Sequence, residues 1–326
     1  MSVRGAALAS VSGVVVVEQS DGPANDSTSE SCTPSTRFQV SSVSKRFVAA
    51  SALLLAERDV LDLNEPISRF ISPCPDAWRD ITMHHLLSHT AGLGHWADLP
   101  GFDLADPLGA RALLDLIADR PLLSAPGTQW RYSGPGFVLA ARIVESATGV
   151  SYHAFVASEI FGTLGMAATT SGINPSGPGV ALGHRSSGEV GVVPGFEKLP
   201  GTGDVWSTVE DLDRFTRSLH AGRLLTEESV AAMVNVQASG GAHDDEPGDE
   251  LVRVVGYGYG HFIGRHGDEP VWFHPGDNPG YVSWLGWLPE REASIAVLGN
   301  DERRPIEPTL AECVAAVSAA TQRRRP

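Results

Sequence analysis

VSSVSKRFVAASALLLAERDV, residues Val40 to Val60, is the stretch on which the reading of this chain turns. Between Phe47 and Ala56 only Ser51 interrupts a run of apolar residues, and Arg46 and Glu57 bound it. That pattern predicts a helix buried on all sides. Ser42 and Lys45 stand three apart at its start and so share a face. Free backbone N–H groups and the positive end of the helix dipole favour negative charge there. Read alone, Ser42 would serve as an N-cap, but the lysine beside it points further. Of the 24 Lys and Arg residues only Lys45 and Lys198 are lysines. Arginine keeps its proton, whereas a lysine in an apolar setting can release it and act as a base.

Working outward, Val11 to Gln19 and Arg37 to Val40 read as strands joined by the polar segment Ser20 to Thr36, a hairpin with a loose loop. After the Val40 to Val60 helix, Pro66, Pro73 and Pro75 break the chain into short helical pieces. Ala110 to Asp119, Gly136 to Thr148 and Tyr152 to Phe161 are amphipathic and predict helices, and Asn174 to Gly203 predicts a loop. Thr208 to Ala221 resumes as a helix with Thr208, Glu210 and Asp211 suited to its start. Ser239 to Glu250 is an acidic low-complexity segment and predicts a mobile loop.

Strand-like runs follow at Val252 to Ile263, Val271 to His274 with Tyr281 to Leu288, and Ala293 to Leu298, and Pro308 to Ala320 closes the chain as a helix. Strands at both ends with helices between them predict an α+β fold. Its antiparallel sheet is built from both chain termini and flanked by helices, and an all-helical domain is inserted. We expect residues 1–59 and 201–326 to form the sheet domain and 60–200 the mostly helical one, with the active site in the cleft between them.

A formal net charge of −15, from 24 basic against 39 acidic residues, argues against nucleic acid or an anionic membrane surface as partner. The basic cluster Arg323 to Arg325 reads as a solvated tail. Cys32, Cys74 and Cys313 are odd in number and have no short-range spacing, so neither a disulfide framework nor a zinc module is indicated, and a reducing compartment fits. No apolar run approaches the roughly 18 residues of a membrane span. The small-residue N-terminal stretch imitates a weak signal peptide, but cleavage would delete the first strand, so we expect a cytoplasmic protein.

Several motifs in order then resemble the serine β-lactamase and penicillin-binding-protein superfamily, in the branch of class C β-lactamases, D-alanyl-D-alanine carboxypeptidases and family VIII esterases. Ser42-Val43-Ser44-Lys45 looks like its S-x-x-K. Asp62 to Ile67, Ile81-Thr82 and Leu86 to Leu93 are similar to the signature that follows it, and Phe161 to Met166, FGTLGM, to its Pro-Leu-Gly-Met stretch. Tyr132-Ser133-Gly134 stands where the family has Tyr-x-Asn, and His274-Pro275-Gly276 matches the third element, often His-x-Gly in this branch. The resemblance covers nearly the whole chain, although the segment before Val11 is short for the first helix it implies.

The resemblance implies acyl transfer: Ser42 attacks a carbonyl, an acyl-enzyme forms, and water or another nucleophile takes the acyl group. The resemblance assigns Lys45 to lowering the proton affinity of Ser42 and Tyr132 to the part of second proton carrier. His274 is expected to face the site as a hydrogen-bond donor or partial positive charge. The oxyanion hole that the resemblance implies uses backbone N–H groups of Ser42 and Asp277. Gly134, Gly276, Trp206 and Trp96 are expected around the substrate. Two departures favour esters over peptides: Gly134 has no side-chain amide, and Pro275 removes an N–H from its strand.

His85 and His89 have the i,i+4 spacing of zinc ligands, with His84 and His95 near. No Glu follows the first histidine as a metalloprotease needs, and position 89 belongs to the signature, so no metal and no cofactor are expected. The absence of Gly-x-Ser-x-Gly argues against an α/β-hydrolase. The expected function is a serine hydrolase or acyltransferase on a small ester or amide. Its alternatives are a transacylase with an amine or alcohol acceptor, a D-alanyl-D-alanine carboxypeptidase or β-lactamase, and a catalytically silent binding protein.

Overall fold

A computed structural model of the protein describes residues 3–104, 108–239 and 251–323. The acidic run 240–250 and the basic end 324–326 lie outside the described residues. Strands β1 (Gly5–Val11) and β2 (Val14–Asp21) form a hairpin whose turn, Ser12-Gly13, has both residues at positive φ. Short strands β3 (Pro23–Asn25), β4 (Glu30–Ser31) and β5 (Phe38–Gln39) lead to a 3-10 turn at Ser41–Ser44 and to helix α1 (Lys45–Glu57). Helices α2 (Met83–Leu87), α3 (Ala110–Ala118), α4 (Gly134–Thr148) and α5 (Tyr152–Val156) follow, the last continuing as a π-helical turn to Gly162.

After β6 (Thr170–Ser171) and β7 (Val205–Ser207) come α6 (Val209–His220) and α7 (Glu227–Val234). Strands β8 (Arg253–Tyr257), β9 (Phe262–His266), β10 (Glu269–Asn278), β11 (Tyr281–Leu288) and β12 (Ala293–Gly299) precede the closing helix α8 (Glu307–Gln322).

Seven strands make one antiparallel sheet in the order β2-β1-β12-β11-β10-β9-β8, so the first and last strands of the chain pair side by side inside it. The period-2 alternation of strands sorts their side chains onto two faces. Ala6, Leu8, Ala296 and Leu298 join the core that contains α1, α4 and α6. Ala7, Ala9, Ile295 and Val297 join the core under α8, with Leu310, Cys313 and Val317. Every residue of α1 from Lys45 to Leu55 is buried, which is why its sequence is apolar all round rather than striped.

The expected N-terminal hairpin is corrected in two ways. Val11 to Gln19 is not one strand: the chain turns at Ser12-Gly13, and GAALASV before it is a central, fully buried strand. Small residues suit β1 because helices α6 and α8 lie against it, so its composition carries little β signal. β2 pairs with β1 alone, whereas β5 pairs with β7 in a separate three-stranded sheet. Val252 to Ile263 likewise is not one strand but the hairpin β8–β9, reversing through Gly258–Gly260. Among the described residues no helix is long and apolar enough to cross a membrane. Cys32, Cys74 and Cys313 are free, with Cys32 and Cys313 buried.

Candidate active site

Ser41, Val43 and Ser44 are buried in the 3-10 turn, and Ser42 alone of the four is partly exposed. Lys45, the first residue of α1, is 1% exposed, and its Nζ donates to Ser42 Oγ at 2.9 Å. A 3-10 turn brings residues three apart nearly into eclipse, so the spacing read from the sequence becomes contact. The turn is fastened to the sheet from the far end of the chain. Ser283 on β11 donates its hydroxyl to Val40 O at 2.8 Å, and β10 passes so close at Gly276 that a Cβ there would lie 2.8 Å from Val40 O and 3.0 Å from Ser41 Cβ. Gly276 is therefore a close-approach glycine that sets the next residue, Asp277, beside the turn. β9 pairs with β10 only as far as Phe273, and among the described residues His274 to Asn278 have no strand partner on that side.

Tyr132 lies just before α4, its ring centroid 4.8 Å from Lys45 Nζ. Two histidines hold this turn in place: Ser133 N donates to His89 Nδ1 at 3.1 Å, and Gly134 N donates to His95 Nδ1 at 3.0 Å. Ser133 also caps α4, accepting from Gly136 N at 3.0 Å. His89 packs on Tyr132 at 4.4 Å and on Tyr257 at 4.6 Å. His85 takes part in the cap of α2, accepting from Thr82 N at 3.2 Å. The i,i+4 histidine pair thus serves backbone, each ring accepting from a different turn.

His274 is brought to the site but not in the expected form. It is fully buried, its Nδ1 donates to Pro275 O at 2.6 Å, and its Nε2 therefore accepts from Tyr257 Oη at 3.1 Å. Burial, reinforced by the charge of Lys45, holds its imidazole well below the usual histidine range. The expected cation or substrate-facing donor is corrected to a neutral ring that orients Tyr257. Burial and then Lys45 also hold His89 far below that range, and push His95 down to about 3. Three neutral histidines thus surround the lysine. Tyr257, inside GYGYGH, carried no motif that would single it out from sequence.

Trp206 is also corrected. It is fully buried on β7, its Nε1 donates to Asn174 Oδ1 at 3.2 Å, and it packs on Tyr281 at 5.4 Å, so it presents no surface to a substrate. Trp96 is partly exposed and lies over Gly134. A cavity of about 1020 Å³ lies elsewhere, between the end of α6 and Trp272 and Trp287, and neither Ser42 nor Lys45 lines it.

Over residues 1–317 the chain matches a family model described as Beta-lactamase. It is 25% identical over 322 residues to penicillin-binding protein 4* of Bacillus subtilis (strain 168), covering 92% of this chain and 68% of that protein. Over 180 residues it is 32% identical to esterase EstB of Burkholderia gladioli, 50% of this chain and 46% of the relative. The octameric penicillin-binding protein homologue from Pyrococcus abyssi superposes with a TM-score of 0.83 at 23% identity, covering 98% of this chain and 74% of that one. The chain thus spans about two thirds of the Bacillus protein and less than half of the Burkholderia esterase.

Proposed function

We propose, because the chain belongs to the Beta-lactamase family, a family of serine hydrolases, that it hydrolyses small esters through an acyl-enzyme on Ser42. The observation that carries this is the 2.9 Å contact between Lys45 Nζ and Ser42 Oγ at the one partly exposed position of an otherwise buried turn. A buried ammonium donating to a hydroxyl favours the alkoxide.

In this reading Ser42 Oγ bonds to the ester carbonyl while Tyr132 carries the proton from Ser42 to the departing alcohol. Water then attacks the acyl-enzyme and gives up one proton, which Tyr132 passes to Ser42 Oγ as the acyl–Oγ bond breaks and the acid leaves. The N–H groups of Ser42 and Asp277 face the developing oxyanion, and Gly276 lets β10 come near enough for Asp277 to take part. Gly134, under Trp96, has no amide to grip a peptide, and Pro275 supplies no N–H to its strand. These features favour an ester over a peptide or β-lactam. Transfer to an amine has no support from Trp206, which lies away from any cleft.

An activated ester such as p-nitrophenyl butyrate should add one acyl mass to the protein, located on Ser42 by peptide mapping and lost in Ser42→Ala. A protein that gives no adduct with esters, β-lactams or fluorophosphonates is not a serine hydrolase of this kind. Amine acceptors should leave the free acid as the product; an amide that outcompetes it would replace hydrolysis with transfer.

A further inference from the structure

Gly134 opens α4 two residues after Tyr132, and Trp96 occupies the space where its side chain would be. A Cβ at Gly134 would lie 2.3 Å from Trp96 Cζ2, 2.7 Å from Cε2 and 3.0 Å from Cη2. Real Cβ atoms do not approach so closely, and the indole has little freedom to move aside. It stacks on Phe102 at 4.6 Å and 12°, and its neighbour His95 lies 5.2 Å away on another side. The 3-10 turn Trp96–Asp98 is pinned by His95 N donating to Asp98 Oδ2 at 2.8 Å and by Arg131 Nη2 on Asp98 Oδ1 at 2.7 Å. Any side chain at 134 and the present position of Trp96 therefore exclude one another.

Rings continue from the reacting centre to this wall: Lys45 Nζ to Tyr132, Tyr132 to His95 at 5.3 Å, His95 to Trp96, and Trp96 to Phe102. Part of the indole covers Gly134 and part remains exposed. The partly exposed indole, a ring with a flat apolar face, thus stands where a polar side chain at 134 would otherwise be. Such a face binds planar apolar groups by burial and ring stacking, and offers an amide no hydrogen-bond partner beyond its single N–H. The acyl group joins Ser42 in the first half-reaction and leaves it in the second, so a surface near Tyr132 meets it in each.

From this geometry we infer that Trp96, backed by Phe102 and admitted by Gly134, is the surface that selects the acyl group, and that it selects flat apolar acyl groups. The inference rests on the reading of Ser42 as the nucleophile.

The test compares kcat/KM for p-nitrophenyl phenylacetate and p-nitrophenyl acetate, which share a leaving group. The wild-type protein should prefer the phenylacetate, and Trp96→Ala and Trp96→Leu should each lower that preference about tenfold. A fall of less than threefold in both overturns the inference. Gly134→Ala should lower both the Tm and the preference, and Trp96→Ala in the same chain should restore the Tm. A Gly134→Ala protein with unchanged Tm and preference also overturns it. Fluorophosphonate labelling of Ser42 in every variant keeps the two readings apart: an unlabelled wild-type Ser42 removes the nucleophile, whereas labelling with an unmoved preference removes only the Trp96 surface.

Discussion

Ser283 and Val40 are far apart in the chain and joined in space: the Ser283 hydroxyl donates to the Val40 carbonyl at 2.8 Å, one residue before the turn that carries Ser42. The contact fixes the start of the 3-10 turn against β11, while β10 closes in through Gly276. Gly276→Ala would place its Cβ 2.3 Å from Ser283 Oγ and push β10 off the turn. The expected cost is about 1–3 kcal/mol of stability from overpacking. Acylation should fall about 10²–10³-fold as the Asp277 N–H moves away from the oxyanion. Ser283→Ala, which removes one hydrogen bond without a clash, should cost only about 1 kcal/mol. Urea unfolding and stopped-flow release of p-nitrophenol measure both, and equal effects of the two variants would contradict this account.

Lys45 is buried and bonded to Ser42. Replacing it with methionine keeps the apolar stem and removes the charge. The acylation rate should drop about 10²–10³-fold, the usual worth of a group that stabilises developing negative charge. Circular dichroism should show the fold retained. A variant that acylates at more than a tenth of the wild-type rate would remove Lys45 from the mechanism.

Trp206 packs on Tyr281 far from solvent and bonds to Asn174. Trp206→Phe loses that hydrogen bond and part of the ring volume, for about 1–3 kcal/mol of stability. The ratio of kcat/KM for phenylacetate over acetate should not change. A shift in the ratio without a shift in Tm would return Trp206 to the substrate.

Buried histidines make the fold sensitive to acid. His89, His261 and His274 are held well below the usual histidine range, and His95 and His220 are pushed down to about 3, burial being the first cause in each. The folded pKa values lie below the unfolded value of about 6.5, so below that pH the unfolded chain binds more protons. The stabilisation is complete above pH 6.5 and is lost as pH falls from there toward the folded values. Each such histidine adds a slope of about 1.4 kcal/mol per pH unit. Urea midpoints should decline steeply from pH 6.5 to 5. His220→Phe, which keeps a ring against Trp287 where His220 stacks at 4.8 Å, should reduce the slope by about one proton. A flat profile over that interval would show that these rings titrate freely.

Much of the site was legible because its chemistry is local or bound to motifs. Ser42 and Lys45 are one turn apart, and a lysine at the head of an apolar run, in a chain that uses arginine almost everywhere else, marks itself. The α1 segment announced its burial by lacking a polar face. β1 escaped notice because GAALASV, covered on both faces by helices, needs small residues more than β-branched ones. Tyr257 and Ser283 were not legible, since nothing local in GYGYGH or YVSW tells which hydroxyl will meet a partner from another strand.

The sequence by itself determined that Ser42 and Lys45 share one face, the α+β architecture and the order of its main elements, since these follow from short-range spacing and hydrophobic period. Only the tertiary structure decided that His274 is a neutral, buried partner of Tyr257, that Trp206 faces the core, and that Trp96 fills the place of a side chain at Gly134. Those outcomes depend on desolvation and on which side chains compete for one volume, quantities set by residues distant in the chain.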